Sequence, residues 1–139
     1  VIRGEDDLFS TVDISALNLY DGNCTFYKIG ASATFIRRAD CVECLISENL
    51  PVGVYHSVEI EKTTRSLSDG DFIIMMSDGV LEYLNVPHPE EAMESIIAGI
   101  DTNHPGRFAK QLLDQVLVYT DGKVSDDMTV LVAAVWEKA

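Results

Sequence analysis

Acidic residues border two strongly apolar runs of this sequence. Asp78 follows FIIMMS at 72–77, and Asp126 and Asp127 come directly before MTVLVAAVW at 128–136. If the two runs pair as antiparallel neighbours, the end of the first and the start of the second share one sheet edge, and the carboxylates converge. Carboxylates without histidine or thiolate suit Mg2+ or Mn2+ better than zinc. The pattern predicts metal-assisted phosphoester hydrolysis by an activated water, without a side-chain nucleophile.

Helix capping is the simpler interpretation of the same stretch. Apolar residues within 80–84 have helix-compatible spacing, so Ser77 or Asp78 could satisfy the free N–H groups of a short helix. In the metal interpretation, Ser77 and Gly79 flank the ligand, and the glycine lets a ligand or metal approach the backbone closely. The second acidic pair favours the metal site.

The elements that must position these acids are predicted from periodicity. Five consecutive apolar residues at 72–76 predict a central strand buried on both faces, and 128–136 predicts a second buried strand. Apolar residues at helical spacing after Pro89 and after Pro105 predict two amphipathic helices.

The first half of the chain reads as consecutive hairpins. The predicted strands are 9–20 and 23–29 around a two-residue Asp21-Gly22 turn, 33–38 and 42–46 around a second turn, and an alternating segment at 58–61. Strands followed by two helices and a last strand predict an α+β fold, in which helices cover one face of an antiparallel sheet.

Composition narrows the class of protein. The chain has 139 residues and a net charge of −13, which repels nucleic acid and attracts divalent cations. No apolar run approaches the ~20 residues of a membrane span. Three cysteines without a secretory leader favour a reducing, cytoplasmic setting. Cys41 and Cys44 form a lone CxxC, without the second pair that a zinc knuckle needs.

Two of these segments carry a family resemblance. MMSDGVLEYL and SDDMTVLVA, at this separation, resemble the two C-terminal metal-ligand motifs of the metal-dependent protein serine/threonine phosphatases, the type 2C or PPM family. FSTVDISALNLYDGNCTFYKIGASATFIRRAD resembles the central hairpins of the bacterial branch, and ENLPVGVY resembles its loop before the penultimate motif. The resemblance covers nearly the whole chain and is strongest to sporulation members.

The resemblance implies a layered α-β-β-α sandwich, of which residues 1–139 form the C-terminal part. It implies that Asp78 and Asp126 are the catalytic metal ligands and that Asp127 is a supporting or alternative ligand. The complete domain would hold two Mn2+ or Mg2+ ions. The family's first acidic ligand and its metal-bridging Asp-Gly do not appear before Phe9. We therefore expect this stretch alone to be inactive and to self-associate through the edge that the missing strands leave.

For the sporulation branch, the resemblance implies a substrate and a setting. The substrate would be a phosphorylated anti-sigma-factor antagonist, whose dephosphorylation releases a sigma factor. The phosphatase domain would be cytoplasmic, and its parent membrane-anchored through a distant N-terminal region. A phosphatase-like interaction module without catalytic activity stays open as the alternative.

Overall fold

The computed structural model describes residues 11–48, 60–120, 123 and 126–138. In chain order the elements are β1 (Val12–Leu17), β2 (Asn23–Ile29), β3 (Thr34–Arg37), β4 (Val42–Leu45), β5 (Glu61–Ser66), β6 (Phe72–Met76), α1 (Asp78–Glu82), α2 (Pro89–Ala98), α3 (Pro105–Tyr119) and β7 (Val130–Ala134). Four parts of the sequence predictions lie outside the described residues: positions 9–10, 49–55, 58–59 and 125. The chain divides into two compact units.

The first unit contains a three-stranded antiparallel sheet in the order β1-β2-β5. Its central strand alternates between buried and partly exposed residues, with Cys24 and Phe26 buried. Lys28 is also buried, and its ammonium group donates to the Asp13 carboxylate at 2.8 Å. Burying an ammonium group without such a partner costs free energy, so this ion pair helps to fix the register of β1 against β2.

The turn between β1 and β2 differs from the prediction. The N–H of Asn18 donates to the carbonyl of Asn23 at 2.8 Å, and the N–H of Gly22 donates to the carbonyl of Asn18 at 2.9 Å. The connection is therefore a four-residue loop at 19–22, and the predicted two-residue Asp21-Gly22 turn is wrong. Gly22 has a φ of 73° because it closes that longer loop in the left-handed region.

The second unit contains a four-stranded antiparallel sheet in the order β4-β3-β6-β7. β6 lies between two neighbours and is almost entirely buried, as predicted for a central strand. Alternate side chains of β6, those of Phe72, Ile74 and Met76, join the core that the helices cover. With helices on this antiparallel sheet, the α+β prediction is confirmed.

Both predicted helices are present and begin at their prolines. The apolar face of each helix is buried in the core. The buried residues include Met93, Ile97, Phe108, Leu112 and Val116. At the start of β6, the Phe72 ring stacks on that of Phe108 with 5.1 Å between centroids. The Arg37 guanidinium lies 5.6 Å from both centroids and donates to the carbonyl of Ile100 at 2.9 Å. These contacts join β3, β6 and the helix layer.

The last strand is not buried on both faces, which corrects the prediction for 128–136. β7 is an edge strand of its sheet, and its residues alternate between partly buried and exposed. Val130, Val132 and Ala134 pack against the core, whereas Leu131 is 55% exposed. The unbroken apolar run therefore did not mean that both faces of this strand are buried.

None of the helices in the described part of the chain has the length and apolar composition of a membrane span.

Two valines on α3 test where the core boundary lies. Val116 is fully buried, and Val118, two residues later, is 76% exposed. We expect Val116→Ala to lower the free energy of unfolding by about 2 kcal/mol, through lost burial and the cavity left behind. Val118→Ala, the matched control, is expected to stay within about 0.5 kcal/mol of the parent. Urea denaturation checks both, and equal effects would contradict the core assignment.

Candidate metal centre at the paired strand ends

Antiparallel pairing of β6 with β7 brings the two acidic segments to one edge of the sheet. The register pairs Met76 with Val130, and the N–H of Ser77 continues the ladder by donating to the carbonyl of Thr129 at 3.0 Å. Asp78 is the next residue after this pair on one strand, and residues 126–127 precede it on the other. The predicted pairing of the two apolar runs is therefore present.

Ser77 stands at the N-cap position of α1, but its side chain does not cap the helix. Its backbone is extended, with φ −73° and ψ 158°. Its Oγ accepts a hydrogen bond from the N–H of Thr129 at 2.9 Å, and its carbonyl accepts one from the N–H of Val80 at 3.1 Å. The capping role weighed for the Ser77 hydroxyl is thus replaced by a bond across the two strands. Sequence analysis did not identify Thr129, because its contribution is a main-chain N–H.

Asp78 is the first residue of α1, and its side chain is exposed. The structure shows no hydrogen bond or ion pair to its carboxylate within the described ranges. A carboxylate in the first turn of a helix is electrostatically favourable, which fits the sharp change from strand to helix at this residue. Asp78 is therefore an exposed residue at the sheet edge.

Asp126 and Asp127 are exposed on the neighbouring segment. The Oδ1 atom of Asp126 accepts a hydrogen bond from the N–H of Asp127 at 2.7 Å. This bond orients the Asp126 carboxylate and leaves its other oxygen available to a ligand. The segment thus presents one oriented and one further carboxylate beside the end of β6.

Gly79 lies at the contact between the two acidic segments. A Cβ atom at this position would lie 2.6 Å from the carbonyl oxygen of Asp127 and 3.6 Å from the Cβ of Asp126. Real Cβ atoms do not approach a main-chain oxygen at 2.6 Å, so only glycine fits without a shift. We expected glycine to admit a ligand or metal; in the structure, the atom that approaches it belongs to Asp127.

The donor set suits a hard divalent cation in chemistry and is incomplete in number. Carboxylate and carbonyl oxygens are the groups that Mg2+ and related ions bind. Among the residues described, there is no group of three or more His, Cys, Asp or Glu side chains that could hold a metal ion. Asp78 and Asp126 would therefore supply part of a ligand shell, with other groups completing it.

The cysteines offer weaker ligand chemistry. Burial raises the pKa of the Cys24 thiol, and partial desolvation together with the adjacent Asp40 raises the pKa of Cys41. Because the thiolate is the nucleophile and the metal ligand, raised pKa values disfavour both roles at neutral pH. The oxygen-rich edge remains the candidate site.

Comparison with protein-family models gives a match over residues 1–136 to the family described as stage II sporulation protein E (SpoIIE). The chain belongs to the SpoIIE family. It is 36% identical over 135 residues to the stage II sporulation protein E of Bacillus subtilis (strain 168). That alignment covers 96% of this chain and 16% of the relative, so the chain spans about a sixth of that protein's length.

Solved structures of the same relative show the fold. The PP2C phosphatase domain of SpoIIE from Bacillus subtilis, solved with a fragment of its regulatory domain, matches with a TM-score of 0.88 and 36% identity, over 96% of this chain and 40% of that one. The phosphatase domain in a manganese-presoaked form matches with a TM-score of 0.83 and 32% identity, over 99% and 62%. The chain therefore has the fold of part of a PP2C phosphatase domain, as the family resemblance implied.

Replacing Gly79 tests the contact between the acidic segments. We expect Gly79→Ala to lower the free energy of unfolding by about 1–3 kcal/mol, because the new methyl group must displace main-chain atoms of Asp127. Gly99→Ala is the matched control: a Cβ there meets nothing closer than 3.6 Å, and its φ of −83° suits alanine. The control is expected to gain up to about 1 kcal/mol. Equal stability of the two variants in thermal denaturation would contradict the close approach.

Proposed function

We propose that residues 1–139 are the C-terminal part of a metal-dependent phosphatase domain that hydrolyses phosphoserine or phosphothreonine on a protein. The observation that carries this proposal is the pairing of β6 with β7, which brings the segment that starts at Asp78 into contact with the segment of Asp126 and Asp127 at one sheet edge. Membership in the SpoIIE family and the match to its phosphatase domain support the reaction class.

Asp78 and Asp126 would hold Mn2+ or Mg2+, two ions in the complete domain, and Asp127 is the supporting or alternative ligand. When bound, such ions neutralise negative charge on a transferring phosphoryl group and activate a water nucleophile. Asp126 can bind through the oxygen that does not accept from Asp127. Gly79 allows the segment that carries Asp126 and Asp127 to contact the start of α1.

The charge of the chain favours a bound cation for this substrate. At a net charge of −13 the chain repels a phosphorylated protein, and two or three carboxylates at one edge strengthen that repulsion locally. A divalent ion at the same edge inverts the local charge and gives the phosphoryl group a favourable place to bind. The acidic residues that would otherwise repel the substrate would then hold the ion that binds it.

The substrate we propose is a phosphorylated anti-sigma-factor antagonist in sporulation control. Support comes from the sporulation family to which the chain belongs. In this setting the domain works in the cytoplasm, on a parent protein anchored in the membrane elsewhere. A phosphatase-like module that only binds this partner is the competing function, and the activity of the complete domain separates the two.

The test uses the complete phosphatase domain of the parent protein with Mn2+ and a phosphoserine-containing protein. We expect Asp78→Asn and Asp126→Asn each to lower the rate of phosphate release more than about 100-fold, because loss of groups that merely support metal ligands already costs 10–100-fold. Because Asp127 is the supporting or alternative ligand, Asp127→Asn is expected to lose less than about tenfold.

Asp114→Asn is the matched control. Asp114 is an exposed acid on α3 that pairs with Lys110 at 2.7 Å, and its replacement is expected to leave the rate unchanged. Absence of Mn2+-dependent activity in the parent domain would favour the binding module. Full activity of the Asp78→Asn or Asp126→Asn variant would overturn the assignment of the metal ligands.

A further inference from the structure

The hydroxyl of Ser77 occupies an unusual place in the β6–β7 ladder. In a hydrogen-bonded antiparallel pair, two opposite residues exchange both N–H and C=O groups. Here the N–H of Ser77 donates to the carbonyl of Thr129 in the ordinary way, at 3.0 Å. The return bond, from the N–H of Thr129, goes to the Ser77 Oγ at 2.9 Å instead of to its carbonyl.

The Ser77 carbonyl takes no part in the β6–β7 ladder, because it accepts a hydrogen bond at the start of α1. It accepts from the N–H of Val80 at 3.1 Å, the hydrogen bond that turns the chain from strand into α1. One carbonyl oxygen therefore serves the helix, and the side-chain oxygen of the same residue serves the strand. Both main-chain groups of Thr129 are therefore bonded to Ser77, although the chain turns into α1 at the next residue, Asp78.

The position of this bond links it to the metal centre. Ser77 directly precedes Asp78, and Thr129 is two residues after Asp127. From these contacts we infer that Ser77 is a positioning residue of the metal centre: its hydroxyl fixes the spacing between the two acidic strand ends. The inference rests on the proposed function, since it assumes that Asp78 and Asp126 bind the metal.

If the Ser77 hydroxyl had only a structural role, its loss would lower the stability of the protein rather than its affinity for the metal. The bond is exposed, so water can replace the hydroxyl on the Thr129 N–H, and its loss should change stability little. The Ser77 N–H bond and the contact at Gly79 persist in such a variant and keep the strands paired. The variant loses a restraint on Thr129. We expect this loss to weaken the binding of an ion that two side chains must reach together.

The experiment measures Mn2+ binding to the full-length parent protein by electron paramagnetic resonance of the free ion. We expect Ser77→Ala to raise the Kd for Mn2+ about tenfold, the lower end of the effect of losing a group that orients metal ligands. Ser77→Thr retains the hydroxyl and should bind within about twofold of the parent. Ser77→Cys, a similar shape with a weaker acceptor, should change the Kd in the same direction as alanine.

Two further readouts separate positioning from general stability. Hydrogen exchange at the Thr129 amide of the metal-free protein should be faster in Ser77→Ala and unchanged in Ser77→Thr. In phosphatase assays, Ser77→Ala should need about tenfold more Mn2+ for half-maximal activity and reach nearly the parental rate at saturation. Ser95→Ala is the control: that exposed hydroxyl donates to the Glu91 carbonyl on α2, and its loss should alter none of these values.

The outcomes distinguish this inference from the proposed function. If Asp78→Asn abolishes Mn2+ binding and Ser77→Ala leaves the Kd unchanged, the positioning role is overturned and the proposed function stands. If Asp78→Asn itself leaves the Kd unchanged, both are overturned. A tenfold weaker Kd in Ser77→Ala, restored by threonine, supports the inference.

Discussion

The register between β6 and β7 is the constraint on which the site depends. Val130, Val132 and Ala134 pack against the core in this register, and β6 is buried between its neighbours. A slip by one residue would shift the strands by about 3.3 Å and turn those side chains to the opposite face. Burial of apolar side chains therefore determines where Asp126 and Asp127 stand relative to Asp78. The chemistry at the edge is set by packing inside the sheet.

The same edge combines acidic side chains, a close main-chain contact and a change from strand to helix. Carboxylates gathered at one place repel each other, and the Asp127 carbonyl comes so close to Gly79 that no side chain fits. The chain also changes from strand to helix at this point, which removes the Ser77 carbonyl from the ladder. In the proposed site a divalent cation would offset this repulsion. The absence of a side chain at Gly79 avoids the clash, and the Ser77 hydroxyl accepts the bond that the carbonyl does not.

The sequence predicted the elements with strong periodicity and missed the features that depend on main-chain geometry. The β6 strand and the helices at Pro89 and Pro105 follow from apolar patterns, and the structure has them where predicted. The exposed face of β7 could not be predicted, because an apolar run does not reveal which of its faces is covered. The loop at 19–22 and the bond from Thr129 to Ser77 were missed for a related reason, since main-chain donors have no sequence signature. The candidate acids could be proposed from the sequence because a carboxylate side chain, unlike a main-chain donor, is visible in the sequence.

Anomalous diffraction from crystals of the complete parent domain soaked in Mn2+ would locate the metal relative to the paired strand ends. We predict a manganese peak within about 2.5 Å of a carboxylate oxygen of both Asp78 and Asp126. A peak bound at neither residue, or at only one of them with the other turned away, would contradict the claim that the paired ends of β6 and β7 form the metal centre.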